Sequence, residues 1–300
     1  MRSTRKGYGD FLVESKLDLV VLDADLSAAT CSNEFAKLNP NKHINVGIAE
    51  QDLIGTASGI SVIKEYVFAS SFAMFLCGRA YEQIRNTIGY SNLNVNLIGT
   101  HTGLAVGEDG ATHQCIEDIS LMGNIPNMTV FCPSDYTSTK KILNLCLNIH
   151  SPKYIRLGRN ETEDIYNEND IFELGKSKVH GKGLNATIFA TGNTVSIALK
   201  AKDILSKKNI DVRVVDIYSI KPIDKKTIIK CAKETDILIS IEDHLVSCGI
   251  GSCISNVLTE FYPKRLYKLG VKDKFGKSGT MDKLYEMYNI TEEDIINIFK

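Results

Sequence analysis

The sequence lacks the long apolar runs of a membrane protein and the paired cysteines of a zinc or redox site. Its longest apolar stretches, such as Val20–Leu22 and Ile237–Ile241, have the length of a strand, whereas a membrane-spanning helix needs roughly 20 apolar residues. No C-x-x-C spacing occurs among the eight cysteines, which favours buried free thiols. No apolar stretch follows the basic residues at the N-terminus, as it would in a signal peptide. We therefore expect a cytoplasmic protein with no membrane contact.

The sequence also lacks a surplus of either charge. Lysine and arginine number 35 and aspartate and glutamate 36, which leaves a net charge of −1. A nucleic-acid-binding surface usually shows a basic excess, so we expect no nucleic-acid partner. Hydrophobic residues make up 43% and charged residues 24%, as in an ordinary globular enzyme.

Strand-like apolar runs alternate with helix-like segments along the whole chain, and this alternation predicts an α/β fold with parallel sheets. A polar stretch interrupts the pattern and suggests two domains, at residues 1–165 and 184–300, with a linker at 166–183. The predicted strands are 18–23, 66–70, 94–99, 128–131, 154–157, 186–191, 211–216, 236–241 and 265–269. The predicted helices are one that begins near Ala49, then 75–89, 116–122, one from an N-cap at Ser134 or Asp135 to about 148, then 194–207, 224–234, 249–261, and one from an N-cap at Thr291 to 299.

Three segments of the first domain carry side chains that a pure core pattern would not place there. Glu50 lies at a junction between strand and helix, where a carboxylate could simply complement the helix N-terminus. Phe72 and Phe75 follow a strand with helical spacing, which core aromatics would also show. The glycine-rich loop 100–114 contains two histidines and two acids, and loops after parallel strands often bind ligands.

Two other polar groups admit plainer interpretations. A metal site at His101 and His113 is poorly supported, because their spacing fits no common zinc pattern. In the second domain the adjacent Glu242, Asp243 and His244 could form a catalytic cluster, but a structural or interface role is favoured.

Nearly the whole chain resembles the transketolase family of thiamine-diphosphate enzymes. The motifs that carry the resemblance are, in order, VGIAEQD, SSFAMF, GEDGATHQ, IPNMTVFCPSD, YIRLGR, DIYSIKPID, IEDH with CGIGS, and LGVKDKFGKSG. The resemblance implies a pyrimidine-binding α/β domain that binds thiamine diphosphate, followed by a smaller transketolase C-terminal α/β domain.

The resemblance also implies roles for individual residues. Glu50 matches the glutamate that hydrogen-bonds the aminopyrimidine ring of thiamine diphosphate, and acts as a catalytic acid there. Phe72 and Phe75 match the aromatics that pack on this ring, while a third family aromatic falls on Gly78.

Four further residues match positions that contact the sugar substrate. His101 and His113 match catalytic histidines beside the first carbons of the sugar, and Asp109 matches a residue that contacts a sugar hydroxyl. Arg159 matches an arginine that binds the sugar phosphate, although a solvated surface charge is its plainer interpretation.

One part of the family pattern is missing. Family members bind Mg²⁺ and the cofactor diphosphate through a Gly-Asp-Gly motif and a later asparagine, and no Gly-Asp-Gly occurs in these 300 residues. The chain therefore resembles the C-terminal subunit of a split transketolase. This implies an N-terminal partner subunit that holds the magnesium, an α2β2 heterotetramer, and sugar phosphates of the pentose phosphate pathway as substrates.

Several alternatives remain open at this point. Within the superfamily they are 1-deoxyxylulose-5-phosphate synthase, the β subunit of 2-oxo acid dehydrogenases, and a transketolase for an unusual sugar. From a different class, the chain could be a non-catalytic scaffold subunit that has kept the fold.

Overall fold

The computed structural model describes all residues from 1 to 300. The strands are β1 (Arg2–Ser3), β2 (Leu19–Asp23), β3 (His43–Asn45), β4 (Tyr66–Phe72), β5 (Val95–Thr100), β6 (Thr129–Phe131), β7 (Lys153–Arg156), β8 (Glu161–Thr162), β9 (Lys178–His180), β10 (Ala186–Ala190), β11 (Val212–Asp216), β12 (Ser219–Lys221), β13 (Ile237–Leu245) and β14 (Leu266–Val271). The α-helices are α1 (Thr4–Glu14), α2 (Ser27–Thr30), α3 (Asn33–Leu38), α4 (Glu50–Ser61), α5 (Tyr81–Gln83), α6 (Asp118–Gly123), α7 (Tyr136–Cys146), α8 (Thr194–Ser206), α9 (Lys225–Glu234), α10 (Ile250–Phe261), α11 (Met281–Tyr288) and α12 (Glu292–Asn297). Two 3₁₀ turns (Pro40–Lys42, Leu104–Val106) and two π-helical segments (Met74–Arg79, Ile84–Gly89) complete the set.

The first sheet has seven strands in the order β12-β6-β7-β5-β4-β2-β3. All neighbours are parallel except β12, which runs antiparallel to β6. Strands such as β2 and β5 are buried along their whole length, because helices cover both faces of a parallel sheet. The carboxyl ends of β4 and β5 lie side by side, so the residues that follow these strands meet at one edge.

The second sheet has five strands in the order β14-β13-β10-β11-β9 and is parallel apart from β9. The edge strand β9 lies inside the segment 166–183 that the sequence suggested as a linker. The α/β prediction with two parallel sheets is confirmed. The division at 1–165 and 184–300 stays a prediction.

One cluster of buried apolar side chains spans both sheets. Strand β12 leaves the second half of the chain and pairs with β6 of the first sheet. The largest cluster of buried apolar side chains combines residues of the first sheet, such as Val20 and Leu97, with Phe189 and Ile217 from the second half. The sequence pattern did not predict that β12 joins the first sheet, because three residues are too few to show a period.

Several predicted helices were confirmed and others were missed. Asp135 and Thr291 cap α7 and α12 through capping boxes, at the N-caps expected from the sequence. The predicted helix 75–89 is instead two π-helical segments around the short α5. Helix α1 was missed because two glycines weaken its helical signal. Gly9 is needed there, since a Cβ would lie 2.4 Å from the Cys31 carbonyl oxygen.

The eight cysteines are free, and none is exposed. Five of them are buried, which agrees with the expectation of buried free thiols. No helix has the length and apolar character needed to cross a membrane.

Candidate active site

Glu50 is the first residue of α4 and lies almost completely buried, with 1% of its surface exposed. Its Oε1 accepts a hydrogen bond from Ser71 Oγ at 3.4 Å, and its Oε2 forms an ion pair with Arg79. The position suits a carboxylate because the helix N-terminus is electropositive. A buried carboxylate with only two partners also keeps acceptor capacity for a further donor.

Arg79 is a site residue that the sequence reasoning missed. It lies in the π-helical segment Met74–Arg79, about half exposed, and its guanidinium carbon is 4.9 Å from the centre of the Phe75 ring. Arg79 thereby links the Glu50 carboxylate to an aromatic face. The available signal was the i, i+4 spacing of Phe75 and Arg79, which places two side chains on one face of a helix.

Four of the predicted site residues form one cluster of stacked and edge-on rings. Phe72 stacks on His101 with ring centres 3.9 Å apart, and on Phe75 at 5.7 Å. His113 meets Phe75 edge-on at 5.2 Å and Phe72 at 6.4 Å. The cluster forms because β4 and β5 end side by side and the loop after β5 folds back over the phenylalanines. Phe72, Phe75 and His113 remain partly exposed, so flat faces are available to a ligand.

The third family aromatic has no counterpart in the structure. Gly78 is exposed, and a Cβ at that position would lie 2.4 Å from the Cε methyl of Met74. Met74 therefore lies where a larger residue at position 78 would extend. The ring cluster is built without this position.

His101 is held in a strained and buried position. Its φ is +57°, a region that non-glycine residues rarely adopt and that occurs preferentially at functional sites. Its Nδ1 lies 3.0 Å from Thr100 Oγ1. Burial lowers the pKa of His101 to about 3, helped by the positive charges of Arg5, Arg159 and His113. The imidazole is therefore neutral at physiological pH and can both donate and accept a hydrogen bond.

We expect the His101 ring to remain neutral from pH 8 to pH 5. The native residue binds its proton only near pH 3, whereas the unfolded residue does so near 6.5. Because only the unfolded chain binds this proton between about pH 6.5 and pH 3, His101 lowers the free energy of unfolding as the pH falls through that range. The measurement is the histidine Cε1–H chemical shift by NMR, assigned with His101→Gln. A shift that titrates near pH 6.5 would contradict the buried, neutral ring.

Arg159 and Asp109 lie together on the other side of the loop. Arg159 Nη1 donates to the Val106 carbonyl at 2.7 Å and to Asp109 Oδ2 at 3.3 Å. Both side chains are partly exposed, at 37% and 41%. The guanidinium is anchored by one nitrogen, which leaves its other donors for a ligand.

Arg5 of α1 is a second missed cation. Its Nε donates to the Arg159 carbonyl at 3.1 Å and its Nη1 to the Ala29 carbonyl at 2.7 Å. Two guanidiniums therefore lie beside the histidine cluster. No sequence pattern pointed to Arg5, because it lies in a segment without a visible helical period and is 154 positions from Arg159.

Glu242, Asp243 and His244 each hold the start of a different element. The predicted strand 236–241 continues to Leu245 as β13, so all three lie on one buried strand. Glu242 accepts from the Ile250 and Gly251 amides at the start of α10. His244 Nε2 accepts from the Ile119 amide of α6, and Asp243 reaches the loop after β5. These contacts support the structural interpretation.

No group of three or more His, Cys, Asp or Glu side chains is arranged to hold a metal ion. Glu50 and the exposed faces of Phe72 and Phe75 fit a flat heteroaromatic ring with a polar edge, because a carboxylate and two aromatic faces converge there. The residues present therefore fit an aminopyrimidine.

Both halves of the chain match known family models. Residues 2–164 match the transketolase pyrimidine-binding domain, and residues 175–295 match the transketolase C-terminal domain. The chain belongs to the transketolase family. Transketolases depend on thiamine diphosphate, so the cofactor class follows from the family.

The similar proteins include subunits of about the same length. A protein of Methanocaldococcus jannaschii described as a transketolase C-terminal section is 44% identical over 98% of this chain and 94% of its own. A 6-deoxy-6-sulfo-D-fructose transketolase subunit of Clostridium sp. (strain MSTE9) is 36% identical over 97% of this chain and 92% of its own. A solved structure described as a split gene transketolase, inactive β4 tetramer, has a TM-score of 0.92 and 42% identity, and covers 99% of this chain and 97% of its own.

Other transketolases are longer. The chain spans about half the length of human transketolase, with 35% identity over 98% of this chain and 48% of the human protein. The sequence-based assignment to the C-terminal half of the family is confirmed.

Proposed function

We propose that this transketolase chain supplies the pyrimidine-binding and sugar-binding half of a two-subunit enzyme. That enzyme transfers a two-carbon ketol unit from a ketose phosphate to an aldose phosphate. The observation that carries the proposal is the convergence of Glu50, Phe72, Phe75, His101 and His113 at the carboxyl edge of the first sheet. Split transketolase subunits of similar length among the relatives support it.

Each side chain has a task that its surroundings suit. Glu50 Oε2 would exchange part of its pairing with Arg79 for the aminopyrimidine ring nitrogen and would hold a proton there. Phe72 and Phe75 would fix the ring plane. Thiamine diphosphate supplies the carbanion chemistry when it is bound.

The sugar would lie against the histidines and the loop after β5. Neutral His101 can donate to or accept from a sugar hydroxyl. The partly exposed His113, which lies edge-on to Phe72 and Phe75, can hydrogen-bond a second hydroxyl. Asp109 would accept from a hydroxyl further along the sugar, and Arg159 would bind the phosphate.

We further propose that a separate N-terminal subunit binds Mg²⁺ and the cofactor diphosphate, and that the assembly is α2β2. We also propose that this enzyme acts in the cytoplasm, in the metabolism of pentose phosphates. The direct test is to mix the purified chain with a candidate partner, thiamine diphosphate and Mg²⁺, and to follow ketol transfer by product analysis. A mixture that binds the cofactor without any transfer would favour the scaffold alternative.

A transketolase for an unusual sugar is the second candidate. The observation that favours it is the similarity to the sulfofructose transketolase subunit over almost the full length of both chains. A panel of ketose donors with phosphate or sulfonate at the terminal carbon distinguishes the two candidates by relative kcat/KM.

Arg159→Ala should raise KM for phosphorylated sugars far more than for an unphosphorylated donor such as hydroxypyruvate. A charge-assisted contact to phosphate is worth roughly 1.5–3 kcal/mol, or about ten- to a hundred-fold in KM. The measurement is KM for both donor classes in the assembled enzyme.

Arg2→Ala is a matched control for Arg159→Ala. Arg2 is an exposed arginine whose guanidinium lies over the Tyr136 ring. Its loss should leave both KM values unchanged. Equal effects of Arg159→Ala on the two donor classes would show that Arg159 does not bind the phosphate.

A further inference from the structure

The 3₁₀ turn Leu104–Val106 is held on its amide side by the second half of the chain. Asp243 Oδ1 accepts from the Leu104 amide at 2.8 Å, and Oδ2 accepts from the Ala105 amide at 3.2 Å. Tyr285 donates its hydroxyl to the same Oδ2 at 2.9 Å. Asp243 is 4% exposed, so water competes little for these bonds.

The carbonyl side of the same turn is held by the first half of the chain. Asn160 Nδ2 donates to the Ala105 carbonyl at 2.7 Å, and Arg159 Nη1 donates to the Val106 carbonyl at 2.7 Å. The turn therefore lies between Asp243 and Arg159 and bonds to both. A displacement of its amides displaces the carbonyl on which the Arg159 guanidinium rests.

The Asp243 carboxylate packs directly against the backbone of the turn. Gly103 has φ +69°, and a Cβ there would lie 2.2 Å from Asp243 Oδ2. Gln114 Nε2 closes the other side by donating to the Leu104 carbonyl at 3.1 Å and to the Lys277 carbonyl at 2.9 Å. The backbone can approach the carboxylate this closely only because position 103 is glycine.

We propose that Asp243 is a positioning residue for the substrate site, which sets the affinity for sugar phosphate by fixing the turn that anchors Arg159. Asp243 acts through this turn and touches neither substrate nor cofactor. The inference rests on the proposed function, because it takes Arg159 as the phosphate-binding residue.

The first test measures the turn itself and needs no activity. Asp243→Asn keeps the shape of the side chain but replaces one acceptor oxygen by an amide donor, which cannot accept from the turn. Hydrogen exchange of residues 102–112, followed by mass spectrometry on the purified chain, should become about tenfold faster or more at the Leu104 and Ala105 amides.

Glu242→Gln is the matched control. Glu242 is the preceding residue of β13, is equally buried, and accepts from the Ile250 and Gly251 amides instead of the turn. Exchange of residues 102–112 should be unchanged in this variant. Equally faster hydrogen exchange in both variants would show a general loss of stability and would overturn the proposal.

The second test uses the assembled enzyme. Asp243→Asn should raise KM for a ketose phosphate about tenfold, with little change for hydroxypyruvate and little change in kcat. On an Arg159→Ala background the same substitution should add almost nothing, because the two residues act through one contact. Additive effects, or equal effects on both donors, would overturn the positioning role.

Tyr285→Phe keeps the test decisive where Asp243→Asn fails to fold. It removes one hydrogen bond to Asp243 Oδ2 and keeps the ring, so the exchange and KM effects should have the same direction and a smaller size. Unchanged exchange at the turn would overturn the proposal. Faster exchange without any ketol transfer, with all partners tried, would support the contact with the turn and overturn the proposed function instead.

Discussion

Glu50→Gln in the assembled enzyme should lower turnover on the order of 10²-fold or more while the fold survives. In the native protein Ser71 donates to Glu50 Oε1, and glutamine keeps the size of the side chain and can still accept this hydrogen bond. It cannot supply the proton that the aminopyrimidine ring nitrogen needs. The measurements are kcat for ketol transfer and the rate of C2 proton exchange in the bound cofactor.

Asp52→Asn is the control that separates this role from helix capping. Asp52 is the other acidic residue in the first turn of α4 and is exposed, so its loss removes the same charge from the same helix end. If Glu50 merely complemented the helix N-terminus, both substitutions would have similar small effects on stability and none on exchange. Near-normal C2 proton exchange in Glu50→Gln would contradict the catalytic assignment.

The ring cluster shows which part of the site could be predicted from the sequence. Phe72 ends β4 and His101 follows the adjacent parallel strand β5, and parallel strands bring their carboxyl ends to one edge of the sheet. The family resemblance implied that both residues belong to one site, and the α/β pattern is consistent with contact between the two segments. The stacking of His101 on Phe72 and its positive φ are details that no sequence period encodes.

The missed residue Arg79 and the missed contact of Asp243 depend on packing between different elements. Arg79 pairs with Glu50 because a π-helical segment replaces the expected α-helix, and the altered winding is not visible in apolar spacing. Asp243 reaches the turn at Leu104 across 139 positions of sequence. Such contacts follow from the packing of the second sheet against the first, which strand β12 and the buried cluster that spans both sheets fix in three dimensions.

The purified chain alone should transfer no ketol unit, and should gain this activity on mixing with a separately encoded partner. On the proposed assignment, the residues present would provide the pyrimidine side of a cofactor site and a sugar site, with Glu50, Phe72 and His101 at the centre. The Gly-Asp-Gly motif that family members use for magnesium and diphosphate does not occur in residues 1–300. A structure of a similar chain is described as an inactive β4 tetramer, which supports the expectation.

The number of subunits in the complex follows from where the partner would meet the partly exposed ring faces. The resemblance to the transketolase family implies that one active site forms between a diphosphate domain and a pyrimidine domain of different protomers. A split enzyme therefore needs at least two copies of each subunit, and a permanent interface of this kind should bury on the order of 2,000 Å² or more. The mass of the mixed complex should correspond to α2β2.

The decisive experiment compares three samples under identical thiamine diphosphate and Mg²⁺: the chain alone, the partner alone, and the mixture. Ketol transfer should appear only in the mixture. Substituting the aspartate of the partner's Gly-Asp-Gly by alanine should abolish it without dissociating the complex, because that change removes the metal ligand and leaves the subunit contacts intact. Strong activity from the homogeneous chain would refute the two-subunit proposal, since a complete cofactor site would then have to form from copies of this chain alone.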